Sequence, residues 1–213
     1  MNRFTSAFTA TTLALLAALF LSAQSVAAQD AADVDTSDIP DMVLGNPDAD
    51  VTVIEYASFT CPHCATFHAG AFKDLKKDFI DTGKIRFVYR EVFFDRQGLW
   101  AAIVARCGEG AENRYFGIAD MIYENQRAWA RQEEPAAIVD SLRRFGKTAG
   151  LTDAQLDQCF TDADAAQKLY ARYLQQADED GVTSTPTFII DGTRHSNLPY
   201  NEMSDLINAA LGE

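Results

Sequence analysis

The chain has 213 residues, with 31 acidic against 18 basic side chains and a formal net charge of −13. So acidic a balance argues against nucleic acid as a partner, because phosphate backbones attract basic surfaces. The length suits one domain, with room for an inserted subdomain, and allows a real hydrophobic core without dependence on disulfides.

Residues 1–28 have the three-part layout of a secretory signal peptide. Arg3 precedes the apolar run TLALLAALFL, and small residues follow in SVAAQ. We predict cleavage after Ala28 and export to a bacterial periplasm, where disulfides form and persist. The alternative is a buried N-terminal helix, although the segment has almost no polar face.

Residues 29–42, QDAADVDTSDIPDM, are acidic and lack apolar periodicity, which predicts a flexible, solvated tail. The run VTVIEYASF that follows a GNPDAD turn is typical of a buried strand. Phe67, Ala71, Leu75 and Phe79 then recur every four residues and predict one helix reaching Ile80.

A second strand, IRFVYREVFF, completes a strand–helix–strand unit, whose spacing requires parallel pairing. Residues 97–180 are predicted to be almost entirely helical, and TDAQ at 152–155 predicts a capping box at the start of one helix. The run TPTFIID predicts another strand, DGTRHSN predicts a turn, and an amphipathic helix is predicted at the end of the sequence. The fold class expected is therefore α/β with an inserted helical subdomain.

The pair Cys61 and Cys64, in CPHC, lies where the first strand ends and the helix begins. Unpaired N–H groups and the helix dipole favour a thiolate there, so we expect Cys61 to be the nucleophile and Cys64 the buried resolving thiol. Pro62 fixes φ near the helix start, and His63 adds a donor or partial positive charge beside the sulfur. A stabilised thiolate favours the reduced pair, which describes a disulfide donor.

The cysteine pair has three alternative interpretations. Cys61, Cys64 and His68 together would suit Zn²⁺, but no second C-x-x-C completes a structural site, and we expect neither a metal nor a cofactor. Covalent haem is excluded because Ala65, not histidine, follows the second cysteine. A purely structural disulfide would close too small a loop to stabilise much. We expect His68 to solvate its helix.

The combination of EYASFTCPHCATFH, a helical block and a later TPTF resembles the thioredoxin-fold thiol:disulfide oxidoreductases of the DsbA family over nearly all of the mature chain. The resemblance implies a thioredoxin-fold domain over residues 43–96 and 181–213, with residues 97–180 as its helical insertion. It also implies a periplasmic enzyme that oxidises reduced or unfolded exported proteins and is reoxidised by a membrane quinone-reductase-type partner.

The family's catalytic pair falls on Cys61 and Cys64. In the family the TPTF proline is cis and its loop contacts the redox disulfide, so the resemblance implies a cis Pro186 and a Thr185 that presents backbone groups to a substrate strand. The family also keeps an acid six residues before the first cysteine. Here that residue is Glu55, which would accept the Cys64 proton, or would be an outward-facing edge residue if its strand turns the other way.

Thr185 stands where the better-known oxidases of the family have valine, and threonine there is also seen in disulfide isomerases. Such isomerases dimerise through a sizeable N-terminal domain, for which we expect the segment 29–50 to be too short. We therefore expect a monomeric oxidase, with isomerisation as a secondary activity, and keep isomerase or reductase activity and a metal-binding module as alternatives.

Two further cysteines lie in the helical block. If Cys61 pairs with Cys64, then Cys107 and Cys159 are left to form a second bridge, and we expect this bridge to be structural. Some DsbA-like proteins of alphaproteobacteria resemble this chain in having such a pair, so tuning of the redox poise or of partner choice is the functional alternative. Two free buried thiols would be the third possibility, disfavoured in an oxidising compartment.

Overall fold

The structure is a computed structural model that describes residues 31–213, so the predicted signal peptide lies outside the described residues. The strands are β1 (Met42–Gly45), β2 (Val51–Ala57), β3 (Ile85–Glu91), β4 (Thr187–Ile190) and β5 (Thr193–Ser196). The helices are α1 (Pro62–Ala69), α2 (Ala71–Leu75), α3 (Arg96–Ala105), α4 (Ala111–Glu124), α5 (Gln126–Trp129), α6 (Pro135–Thr148), α7 (Asp153–Thr161), α8 (Ala163–Glu179) and α9 (Tyr200–Leu211).

The strands form one sheet in the order β1-β3-β2-β4-β5. The central pair β2 and β3 is parallel, as the strand–helix–strand spacing predicts, and the other three pairings are antiparallel. Central strands that are covered on both faces need apolar side chains, which explains the β-branched and aromatic runs in β2 and β3. The α/β class is confirmed.

The crossover between β2 and β3 is not the single regular helix that its apolar stripe predicts. It breaks at Gly70, whose φ of −128° and ψ of −92° are not helical, and α2 then runs into a π-helical turn over Lys76–Ile80. The π turn shifts the helix face by one residue, so Phe79 and Ile80 are both buried. The stripe was correctly predicted, but its 3.6-residue period does not continue through the break.

Helices α3 to α8 lie between β3 and β4 and share one continuous apolar core with the sheet. The capping box at Thr152 and Gln155 is confirmed at the start of α7. Helix α1 packs on α4, and α9 packs on α2 and β2. On the other sheet face, Tyr56 of β2 packs in a small cluster beside Tyr173 of α8. The division into a sheet domain and an inserted subdomain stays a prediction.

Residues 31–42 are not the free tail that their acidic composition predicts. Met42 begins β1, which pairs with β3, and the segment before it is attached to α8. Arg172 donates to the Thr36 carbonyl and to the Asp41 carboxylate, at 3.2 and 2.7 Å. Gln175 donates to the carbonyls of Ala31 and Val34. The acids that suggested a solvated tail are thus partly used as acceptors for a helix more than 130 residues away in sequence.

Candidate active site

Cys61 occupies the N-cap of α1, with extended backbone (φ −77°, ψ 120°), and Pro62 begins the helix. The end of β2 delivers the chain to this point, and a turn from Ser58 holds it, because the Cys61 N–H donates to the Ser58 carbonyl at 3.0 Å. Proline is well suited to the first helical position, where no N–H partner is needed. Cys61 is 9% exposed and Cys64, one turn further along, is completely buried.

The two sulfurs differ sharply in acidity. A hydrogen bond from the Cys64 thiol is the largest cause that lowers the pKa of Cys61 to about 5; burial opposes it, and Thr185 and the backbone of Cys64 and His63 assist. Burial is the largest cause that raises the pKa of Cys64, and the hydrogen bond to Cys61 and the charge of Glu55 add to it. The pair can therefore hold one thiolate and one thiol, with the thiolate on the sulfur that reaches the surface.

Both dipeptide residues between the cysteines are exposed. His63 acts on Cys61 through its backbone, and its imidazole ring is not among the principal causes of the lowered pKa. The role expected of the His63 ring stays a prediction.

The loop before β4 closes over the redox pair. The Thr185–Pro186 peptide bond is cis, and the Thr185 carbonyl oxygen lies 3.6 Å from the Cys61 sulfur. Pro186 is buried and Thr185 is half-buried, and the Thr185 hydroxyl has no hydrogen-bond partner in the described structure. The structure thus brings together residues that are about 120 positions apart in the chain.

Glu55 lies beneath the pair in the central strand β2 and is completely buried. The alternative of an outward-facing edge residue is wrong, because β2 is flanked by β3 and β4 and the side chain points into the core. His68 is also buried, so the expectation that it solvates its helix is wrong. Its Nε2 lies 3.0 Å from the Glu55 Oε2, because the position one turn past Cys64 faces the sheet.

Aromatic side chains enclose this pair. The His68 ring stacks on Tyr123, with 4.2 Å between ring centroids and 15° between planes. The Tyr123 and Tyr89 hydroxyls are 2.6 Å apart. Burial raises the pKa of both tyrosines, and the charge of Glu55 contributes, so they remain neutral neighbours of the carboxylate.

Sequence reasoning missed the residues that hold the segment before Cys61. The buried Gln126 amide donates to the Phe59 and Cys61 carbonyls, both at 2.9 Å. The Thr60 hydroxyl donates to Asp95 at 2.7 Å. The DRQG sequence at the start of α3 is a local capping signal that would have identified Asp95, but no local signal marks Gln126, because its partners are more than 60 residues away.

A disulfide joins Cys107, just after α3, to Cys159 in α7, with 5.8 Å between the Cα atoms and 52 positions between them in sequence. Within residues 31–213, no three His, Cys, Asp or Glu side chains are arranged to hold a metal ion. Over the same residues, no helix is long and apolar enough to cross a bilayer.

Comparison with known proteins agrees with this geometry. The thioredoxin family model matches residues 37–209. A protein-disulfide oxidoreductase of Rickettsia bellii is 34% identical over 173 residues, which are 81% of this chain and 65% of that protein. The disulfide bond formation protein D of Bacillus subtilis is 34% identical over 183 residues, covering 79% of this chain and 76% of that one. The chain spans 61–65% of the length of its rickettsial relatives.

Among solved structures, alpha-DsbA1 of Wolbachia pipientis superimposes with a TM-score of 0.74 and 27% identity, over 82% of this chain and 92% of that one. A protein-disulfide isomerase of Novosphingobium aromaticivorans gives a TM-score of 0.71 and 25% identity, over 81% and 98% of the two chains. The predicted thioredoxin fold is confirmed. The chain belongs to the thioredoxin family and is DsbA-like.

Proposed function

We propose that this chain is a periplasmic thiol:disulfide oxidoreductase that donates disulfides to exported proteins through Cys61 and Cys64. The observation that carries the proposal is the asymmetry of the pair: a surface sulfur with a pKa lowered to about 5 next to a buried sulfur with a raised one. The thiolate exists only in the reduced pair, so whatever stabilises it makes the disulfide a stronger oxidant.

The reaction follows from the position of each sulfur. A substrate thiolate attacks Cys61, the Cys61–Cys64 bond breaks, and Cys64 leaves as a thiolate that takes up a proton transferred by Glu55. A second substrate thiolate then attacks the substrate sulfur of the mixed disulfide and releases Cys61 as a thiolate. The substrate loses two electrons and gains a disulfide, and the reduced pair passes the electrons to a membrane quinone-reductase-type partner.

The substrate in this proposal is a reduced or unfolded chain that lies in extended form along Thr185. The backbone carbonyl of the half-buried Thr185 lies 3.6 Å from the Cys61 sulfur, and cis-Pro loops offer backbone groups for an added strand. Phe94, which is 58% exposed, precedes the Asp95 that binds Thr60. An exposed aromatic in the segment that is attached to Thr60 suits apolar segments of unfolded proteins. The signal-peptide pattern of residues 1–28 supports the periplasmic location, and we propose that the enzyme acts as a monomer.

Isomerisation is the second candidate, because Thr185 replaces the valine of the better-known oxidases and the Novosphingobium relative is named as an isomerase. The two activities differ in their substrate: an oxidase needs a reduced protein, and an isomerase needs a scrambled one with a reduced enzyme.

The test equilibrates the protein with glutathione buffers of graded ratio, traps free thiols by alkylation, and assigns each cysteine by mass spectrometry. We expect Cys61 and Cys64 to remain reduced until the buffer is strongly oxidising, and the oxidised protein to transfer its disulfide to a reduced substrate protein. Cys61→Ser is the control that should abolish transfer. A 61–64 disulfide that persists in reducing buffer would refute the oxidase function, and faster repair of scrambled than of reduced substrate would favour isomerisation.

A further inference from the structure

The buried pair of Glu55 and His68 leaves two polar atoms without partners. Glu55 is completely buried and His68 is 6% exposed, and their one mutual hydrogen bond leaves Glu55 Oε1 and His68 Nδ1 buried and unpaired. Buried polar groups are usually fully paired, since an unmade hydrogen bond is costly. An acid–base pair kept in this state next to a redox centre calls for a function.

The redox pair creates a need for proton movement at this place. In the exchange proposed above, Cys64 alternates between a sulfur in a disulfide and a thiol, so it gains or loses one proton each time. Cys64 and Glu55 are both sealed from solvent, although they are close enough for the charge of Glu55 to raise the pKa of Cys64. A proton held by Glu55 therefore has no direct route to water.

His68 is the member of the group that adjoins a surface cleft. The cleft has a volume of about 140 Å³ and is lined by His68 and by four charged residues, Lys73, Lys76, Asp120 and Glu124. A space of this size holds several water molecules. Burial raises the pKa of Asp120, which suits this carboxyl to exchanging protons with that water.

We propose that His68 relays protons between Glu55 and water in this cleft, and so serves the redox pair as a positioning and proton-carrying residue behind Glu55. When Cys64 leaves as a thiolate, Glu55 gives up its proton and becomes a carboxylate. His68, as the Nε2–H tautomer, takes up one proton from the cleft at Nδ1 and passes its Nε2 proton to Glu55 Oε2, which leaves the Nδ1–H tautomer. During reoxidation the same proton moves outward. Oxidation states do not change in this step, and one proton is taken from or returned to water.

An imidazole is suited to this transfer, because it has a pKa near neutrality and a donor or acceptor on both ring nitrogens. The titratable groups that face His68 from the packed elements are Glu55 of β2, Tyr89 of β3, Lys73 of α2, Lys76 of the π turn, and Asp120, Tyr123 and Glu124 of α4.

The inference rests on the proposed function, and a chemical rescue experiment separates the two. The rate at which the oxidised protein reacts with a dithiol peptide is measured by stopped flow for the wild type, His68→Ala and His68→Gln, with and without added imidazole. Pyrazole, which has the same ring size but is a far weaker base, is the matched additive. His195→Ala is the control variant, since His195 lies on β5 and is half-exposed.

We expect both His68 variants to react at least about tenfold more slowly, which is less than the roughly 10²–10⁴-fold of a group that transfers a proton directly to the reacting atoms, because His68 acts through Glu55. Imidazole should restore His68→Ala, whose vacated space adjoins the cleft, and pyrazole should not. His68→Gln, which can donate to Glu55 but cannot carry a proton, should stay slow. Alkylation of Cys61 in the reduced protein needs no proton from Cys64 and should remain unchanged.

A full rate in His68→Gln, or equal rescue by pyrazole and imidazole, would overturn the relay and leave His68 a packing role. If His68→Ala fails to fold, His68→Gln decides the question. Its reaction rate and its solvent deuterium isotope effect are then each compared with those of the wild type. If the wild type exchanges disulfides and the His68 variants do so at the same rate, the relay is refuted and the proposed function is not. No exchange by the wild type would refute the proposed function and the relay with it.

Discussion

Lowering the pH of the reduced protein from 7 to 4 should protonate Cys61 and remove a stabilising contribution that the disulfide form never has. The folded-state pKa of Cys61 is about 5, against 9.0 for an unperturbed thiol. A lowered pKa contributes stability in full above the unfolded value, and this contribution is lost as the pH falls through the folded value. The sensitive window for Cys61 therefore runs from pH 9 down to pH 5.

At pH 7 the solution is about two pH units above the folded-state pKa of Cys61. The ionised thiolate then stabilises the folded protein by about 3 kcal/mol relative to the protonated thiol. Water at the partly open Cys61 sulfur screens some of it, which leaves roughly 1–2 kcal/mol. Cys64 acts in the opposite sense, because its pKa is raised: above pH 9 it ionises only in the unfolded chain, and stability falls. The contribution of these two thiols to the stability of the reduced protein should therefore rise from pH 5 and be greatest near pH 9.

The reduction potential offers a sharper assay than stability. Below pH 5, reduction of the disulfide takes up two protons, and the potential should change by about 59 mV per pH unit; above pH 5 only Cys64 takes one, and the slope should halve to about 30 mV. The thiolate absorbance at 240 nm should show the same midpoint, with Cys61→Ser as the blank. In Cys64→Ala the midpoint should rise, because the largest cause of the lowered pKa is removed. A slope that breaks only above about pH 8 would refute the reasoning.

Three further substitutions test contacts outside the redox pair. Replacing Cys107 and Cys159 by alanine should lower the free energy of unfolding in urea by up to about 4 kcal/mol, from the loop entropy of a 52-residue separation; a loss below about 1 kcal/mol would contradict this. Gln126→Leu should cost about 1–3 kcal/mol in the same assay, because a buried carbonyl loses its donor, and it should slow alkylation of the nucleophilic cysteine; an unchanged rate would show that the amide does not position it. Arg172→Ala should make residues 31–41 cleavable in limited proteolysis without unfolding the rest, and equal resistance would mean that other contacts hold the segment.

The central strand–helix–strand unit could be predicted from local patterns. A β-branched run predicts a buried strand and a four-residue apolar repeat predicts a helix whatever the rest of the chain does, so the position of Cys61 at a helix start also follows. The break at Gly70 could not be predicted in the same way, because a single glycine within a helical pattern is also compatible with a continuous helix.

The segment before β1 shows where local composition fails. Acidic residues without periodicity indicate a tail when no partner is visible, yet here Arg172 and Gln175 of α8 supply the partners. These contacts join residues more than 130 positions apart, so no window of sequence contains both sides of them.

By itself the sequence determined the chemistry that is available: two cysteines in the first turn of a helix, a carboxylate in an apolar strand and a later threonine–proline pair. Only the tertiary structure decided how these groups act on one another. It buries Cys64 and Glu55, sets Thr185 against Cys61, and turns His68 inward onto the carboxylate. The physical reason is that a pKa depends on desolvation and on neighbouring charges, and both are properties of the folded core and not of the residues next to it in the chain.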